Sequence, residues 1–458
     1  MKLHIQNLGP IKEATIDLSK RFYTFVGYNN SGKTYLANLL WCVFSRIDYS
    51  FFKDFIERNK NNYYFQNETS VIKQELLDKL PNEYALYIQN EMLPKVLNIE
   101  KNSPIIKYLQ ISFDSIDTSI KNAIEIYPIK YHILSYTDEE IIIGGRGISD
   151  FLDILCIHLF RLFYTGNEIS FLPTERLSFM TFYKYFFRIE QERREEIEKH
   201  IRKIDKNNPN WKALEEVSES GYVQTHQNLL EEIYSTDSKF IKNRESYKNF
   251  KINEHIIQQL EIIMGGKLNV IEGAVNGNAN FYFQMQKTQE LLKLHTTSSS
   301  VNQLSTLYLY WKYWAEDDDN FLIIDEPEQN LHPENQTKLT ELLIQFANRN
   351  NNRVLICTHS PLIAEVINNY LVLGQLDDKE AAQKSLGLAE NCFLTPENTG
   401  IYFFTGENVR EYKISDYGTI FEDFKAAQEK VWDVGGQLGE LMYHQINKKI
   451  QHENTASQ

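Results

Sequence analysis

The segment Gly27-Tyr28-Asn29-Asn30-Ser31-Gly32-Lys33-Thr34 has the spacing G-x-x-x-x-G-K-[ST], which suits a cradle for phosphate. Glycines let a loop wrap closely around an anion. Successive backbone N–H groups then point inward, and a following helix presents its positive end. In such a loop Gly27, Asn29, Asn30, Ser31, Gly32, Lys33 and Thr34 surround the nucleotide. Lys33 would reach the β- and γ-phosphates, and Thr34 would ligate Mg2+. The flanks agree with this reading. RFYTFV before the loop is a short apolar strand, and YLANLLWCVF after it continues as an apolar helix.

Two further segments end in reactive side chains. Phe321-Leu-Ile-Ile-Asp325-Glu326-Pro327 is an apolar strand with two carboxylates at its tip. Asp325 would hold magnesium, directly or through water, and Glu326 would polarise the attacking water. Val354-Leu-Ile-Cys-Thr-His359-Ser360 is a second apolar strand ending where ligands collect on a parallel sheet. There His359 could contact the γ-phosphate and the water. Lys33, Glu326 and His359 are thus the candidate catalytic groups, and Thr34 and Asp325 the candidate metal ligands.

Positioning these groups requires strands alternating with helices, the pattern of a parallel sheet covered on both faces. The opening MKLHIQNLGPIKEATIDL alternates like a strand pair turned at Leu8-Gly9-Pro10. Residues 46–125 read as helical and irregular, with the Asn-rich NKNNYYFQNE as a surface loop or lid. A hairpin is expected at about 128–148, an apolar helix at 150–165, a buried strand at 169–172 and a strand at 280–285. The charged stretch 178–265 reads as a helical arm or lid with a solvated face. IYFFTGENVREYKI reads as a late hairpin, and the final HENTASQ as disordered.

With 458 residues, 42% of them hydrophobic, the chain can bury a large core. Its four cysteines are scattered without a CxxC pair, which fits a reducing compartment and argues against a disulfide framework. There is no signal-like N-terminus and no apolar run of about 18 residues, so a cytoplasmic protein without membrane association is expected. A net charge of −14 argues against a wholly nonspecific DNA binder. One local exception is the run Lys239, Lys242, Arg244, Lys248 and Lys251, interleaved with Phe240, Tyr247 and Phe250. It reads as a solvated helix face or as a nucleic-acid patch.

Together these segments resemble ABC-type ATPases of the SMC, RecF and OLD-like branch. NLGPIKEATIDL is similar to that branch's opening hairpin, IIDEPEQNLHPENQ to its Walker B and D-loop segment, and THSP to its switch-histidine segment. The resemblance implies an α/β P-loop NTPase: an ABC-type head with a mostly parallel sheet, an N-terminal antiparallel β element and an inserted helical arm or lid. The head would comprise 1–48, 126–177 and 266–400, with insertions at 49–125 and 178–265 and a C-terminal hairpin and helix at 401–458.

The resemblance also implies ATP and Mg2+ as cofactors. A homo-oligomer, a dimer or a multiple of dimers, would clamp the nucleotide between two heads. The signature candidate is Ser298-Ser299-Ser300-Val-Asn-Gln303, in which Ser298, Ser299 and Gln303 would meet the nucleotide of the opposite head. Ser300 stands where the family has glycine, and the same serines also read as a helix N-cap, a role compatible with the first. Glu328 to His332 would be a D-loop facing the second subunit. Pro173-Thr-Glu175-Arg176 resembles a phrase of stand-alone OLD-like ATPases; Arg176 reads equally as a phosphate or partner contact and as a surface salt bridge.

No glutamate-plus-DxD arrangement follows His359, so a built-in Toprim nuclease is not expected. Asp377-Asp378 and Glu422-Asp423 read as solvated acidic patches. The chain is similar to stand-alone ATPase subunits of bacterial anti-phage systems of the Septu and PARIS types. That implies an ATP-gated sensor or clamp controlling a separate effector such as a nuclease. Two alternatives remain: a RecF-like or SMC-like repair ATPase touching nucleic acid locally, and an ATP-stabilised scaffold with little hydrolysis.

Overall fold

The computed structural model describes residues 1–45, 50–59, 63–66, 69–114, 131–136, 140–145, 168–203, 223–236, 253–272 and 279–456. Its centre is a six-stranded sheet. The strand order is Val409–Glu411, Thr399–Phe404, Phe22–Gly27, Arg353–Thr358, Asn320–Asp325 and Glu168–Leu172. All neighbours are parallel except Val409–Glu411, which closes the edge antiparallel.

The inner strands are buried almost end to end, as a sheet covered on both faces requires. Alternate residues feed two separate cores. Tyr23, Phe25, Phe321, Ile323, Leu355 and Cys357 pack beneath the helix Lys33–Phe44 and the N-terminal β element. Phe22, Val26, Leu322, Ile324, Val354 and Ile356 pack with the helices Ser299–Leu309, Pro333–Ala347 and Pro361–Gly374.

The opening hairpin pairs Lys2–Leu8 with Ile11–Asp17 antiparallel, and Gln110–Phe113 joins as a third strand. Leu3, Ile5, Ala14 and Ile16 are buried on one face, as the alternation predicts. A second antiparallel sheet joins Gly266–Glu272, Ala279–Met285 and Leu291–Lys293. A third links Tyr63–Gln66, Thr69–Lys73, Glu140–Gly145 and Tyr131–Tyr136. The hairpin expected near 128–148 is therefore part of a larger sheet.

Several expectations change. The Asn-rich stretch is not simply a loop: Tyr63–Gln66 forms a strand whose Tyr and Phe residues favour extended backbone. The late hairpin forms, Thr399–Phe404 pairing antiparallel with Val409–Glu411, but its first strand also joins the central sheet beside the phosphate-loop strand, so a division at residue 400 cuts through it. The end of the chain is helical through Ala456, in a helix beginning at Glu422. The helix expected at 150–165 and the basic run at 239–251 lie outside the described residues. No described helix is long and apolar enough to cross a membrane.

Candidate functional site

Three parallel strands of the sheet deliver their chemistry at the same C-terminal edge. Phe22–Gly27 enters the phosphate loop, Asn320–Asp325 ends in the acidic pair, and Arg353–Thr358 ends one residue before His359. The loop depends on its glycines. Gly27 has φ 142°, and an added Cβ would lie 2.3 Å from the main-chain oxygen of Phe404. Gly32 caps the helix Lys33–Phe44 in a left-handed conformation, φ 97°, with an added Cβ 2.7 Å from Ile11. Only glycine fits these two requirements without strain.

A cavity of about 750 Å³ opens over this edge. Asn29, Asn30, Ser31, Gly32, Lys33, Thr34, Asp325, Glu326 and His359 line it, with Pro10 and Tyr35 as neighbours not anticipated from sequence. Gly27 lies just beneath and offers its carbonyl to Lys33 Nζ at 3.4 Å; Tyr28 offers its own at 2.9 Å. The buried ammonium is thus held on carbonyls at the loop entrance. Burial lowers its pKa, while Cys357, Asp325, Glu326 and Glu328 act in the opposite direction.

Thr34 Oγ1 donates to Asp325 Oδ2 at 2.8 Å, and Thr174 Oγ1 lies 3.5 Å from the same oxygen. Burial raises the Asp325 pKa, against the Thr34 hydrogen bond. A hydroxyl beside a carboxylate at the mouth of a phosphate loop is an oxygen donor set suited to Mg2+, which takes few protein ligands and completes its shell with phosphate and water. The residues therefore fit the ion. Among the described residues no cluster of three or more His, Cys, Asp or Glu forms an all-protein metal cage.

Glu326 occupies a left-handed conformation, φ 46°, a costly state for a non-glycine residue. It is held from two sides. Its amide donates to the Cys357 carbonyl at 2.8 Å, and its own carbonyl accepts from Arg176 Nη2 at 2.9 Å. Its carboxylate is 3.7 Å from His359 Nε2, beyond direct hydrogen-bond range. Burial and then Lys33 lower the His359 pKa, against a hydrogen bond to Gly27. The ring is therefore neutral at pH 7.

Arg176 is 1% exposed, so it is not a surface salt bridge. Its Nη1 donates to the carbonyls of Pro173 at 2.8 Å and Asp325 at 2.6 Å. Burial pulls its pKa down to about 10, opposed by Asp325 and other carboxylates, which leaves it cationic at neutral pH.

Gln303 is equally buried. With its amide oxygen turned toward the guanidinium, it accepts from Arg176 Nε at 3.1 Å. Within this chain it is thus an internal contact and not part of the nucleotide cavity.

Ser298 and Ser299 are exposed and do not line the cavity either. Ser298 caps the helix Ser299–Leu309 by accepting from Val301 N at 3.4 Å. Ser300 lies inside that helix, where no left-handed backbone is asked of it.

Glu328 turns inward rather than facing out as a D-loop residue would. Its Oε1 accepts from Thr358 Oγ1 at 2.6 Å, His359 N at 2.9 Å and Ser360 N at 3.1 Å. The resemblance places this glutamate at the start of the D-loop candidate, with no sign of its contacts to residues 358–360. The expected solvated acidic patches are partly structural. Asp378 caps a helix by accepting from Ala381 N at 2.9 Å, and Asp423 accepts from Arg410 Nη2 at 2.7 Å and Tyr412 OH at 2.9 Å.

A phosphate loop, an acidic strand tip and a neighbouring strand ending in histidine, on one edge of a parallel sheet, define a P-loop NTPase. The chain belongs to the AAA ATPase domain family, whose model matches residues 1–364. Among solved structures it is similar to the Smc head domain of Pyrococcus furiosus bound to the C-terminal domain of ScpA. That match has 12% identity and a TM-score of 0.34 over 93% of this chain and 98% of that one. It is also similar to the SMC head domain of Thermotoga maritima, at 10% identity and a TM-score of 0.31, over 90% and 98%. No curated protein matches the chain.

Proposed function

We propose that this protein hydrolyses ATP with magnesium and uses the cycle to open and close a clamp of two heads that controls a separate effector. The observation that carries the chemistry is the convergence in one cavity of Lys33, the Thr34–Asp325 pair at 2.8 Å, Glu326 and His359.

In this reading the backbone amides from Asn29 to Thr34 bind the phosphates, and Lys33 leaves its carbonyls to meet the terminal one. Thr34 and Asp325 hold Mg2+, which supplies charge neutralisation at the β- and γ-phosphates. Glu326 takes the proton of the attacking water. Neutral His359, just past the end of the neighbouring strand, orients that water and the γ-phosphate. The exposed Ser298 and Ser299, at a helix N-terminus, are free to meet the phosphate held by a second head. The effector, and the placing of the system in anti-phage defence, rest on the motif resemblance and are the outer part of the proposal.

The test measures molar mass and hydrodynamic radius by light scattering and ATP turnover together, with and without Mg-ATP, for wild type and Glu326→Gln. Nucleotide-stabilised association with turnover lost in the variant is expected. Equal turnover in both forms would remove Glu326 from its role. Mass and hydrodynamic radius both unchanged by nucleotide would remove the clamp.

A further inference from the structure

Among the described residues, the contacts that fasten the helix Glu422–Ala456 to the body lie at its start. Phe421 is buried, Phe424 packs against the second core, and Asp423 binds Arg410 and Tyr412. Every residue from 429 to 446 is then exposed. With 35 residues the helix is about 50 Å long at 1.5 Å per residue. Its exposed part is not polar. Val431, Trp432, Val434, Leu438, Leu441, Met442, Tyr443 and Ile446 are all open to solvent, Trp432 at 70% and Leu441 at 66%.

The same stretch carries Gly435, Gly436 and Gly439, and glycine disfavours helix. An added Cβ at any of the three meets nothing within 4 Å. Nothing among the described residues therefore requires them to be glycine. A long helix with three interior glycines gains its stability from packing rather than from propensity.

We propose that this segment packs against the same helix of a second copy, antiparallel and crossing at Gly439, the midpoint of the helix. The sequence complements itself about that point. A two-fold axis at Gly439 sets Gly436 opposite Met442, Gly435 opposite Tyr443 and Trp432 opposite Ile446, so that glycines face bulky side chains. Small residues at a crossing let helix backbones approach closely. Around that crossing Trp432, Met442, Tyr443 and Ile446 share the Gly439 face, and at roughly 100–150 Å² each they bury about 500 Å² per copy, the lower end of a specific interface. Glu429, Asp433 and Glu440 interrupt the apolar surface, which disfavours an anionic membrane as occupant. Head closure on nucleotide plays no part in this contact.

The test uses the full chain without nucleotide. Sedimentation at micromolar concentration should give a dimer, shifted to monomer in the double variant Trp432→Asp, Ile446→Asp. Gly436→Leu should weaken the dimer at least ten-fold by blocking close approach. Gly439→Cys should give an intermolecular disulfide on mild oxidation that wild type does not. Unchanged thermal melting and ATP turnover in these variants would show that the body is intact. Three results would each overturn the proposal: a nucleotide-free monomer in wild type, a dimer indifferent to the double variant, or a monomer that sediments with phosphatidylethanolamine–phosphatidylglycerol vesicles through this helix.

Discussion

Arg176 Nη1 lies 2.6 Å from the main-chain oxygen of Asp325. The guanidinium also reaches the Glu326 carbonyl, so one buried cation fixes the backbone that presents both carboxylates. Arg176→Met should leave these carbonyls without a donor and let Glu326 relax from φ 46°. Turnover is expected to fall by at least ten-fold. Stability in urea should fall by about 3 kcal/mol, the scale of hydrogen bonds to a charged group. Wild-type turnover with unchanged stability would show that the contacts are incidental.

Glu328 gathers three donors from residues 358 to 360 onto one oxygen. Glu328→Gln keeps a carbonyl oxygen that can accept them, whereas Glu328→Ala does not. The glutamine variant should stay within a few-fold of wild type. The alanine variant should lose about ten-fold or more in kcat while still binding a fluorescent ATP analogue. Equal behaviour of the two variants would separate Glu328 from the placement of His359.

Gly27→Ala should be among the most damaging single substitutions. The new methyl group would lie 2.3 Å from the Phe404 carbonyl, on backbone that cannot turn aside. Loss of ATP binding is expected, with destabilisation of about 2–3 kcal/mol from overpacking. Calorimetry of nucleotide binding and thermal melting would check both.

The pH response of His359 has a definite sign. Burial and Lys33 place its pKa below the ordinary 6.5. The neutral ring therefore persists from alkaline pH down through 6.5, and the charged form gains ground only below that. The acid loss of kcat/KM that disappears in His359→Gln should lie below pH 6.5. A histidine-dependent loss centred above pH 6.5 would contradict the geometry.

The reactive centre is readable because its groups stand at strand ends or at the helix start that follows one, where short-range spacing sets position. Lys33, Thr34, Asp325, Glu326 and His359 all line one cavity, and the strands carrying them read as apolar runs. Arg176 stands out in the sequence, but its burial does not: its partners are carbonyls near residue 325, and main-chain acceptors leave no trace in side-chain identity. Glu328 was hidden for the same reason, since two of its three donors are backbone amides. Gln303 fell within a plausible signature, yet the 3.6-residue turn of its helix sends it inward to Arg176 while Ser298 and Ser299 stay outside. The hairpin of Thr399–Phe404 with Val409–Glu411 is legible locally, but its place beside Phe22–Gly27 is not, because nothing local reveals which distant strand a buried run will join.

That last strand bears on synthesis. Phe404 accepts from the Tyr28 amide at 3.3 Å and packs against Gly27, so the phosphate loop waits for a strand synthesised well after it. Non-local pairing of this kind is slow to form. A nascent chain halted before residue 404 would carry every phosphate-binding residue yet lack the wall they lean on. Translation, by its order alone, thus keeps an unfinished polypeptide from presenting a complete nucleotide cradle.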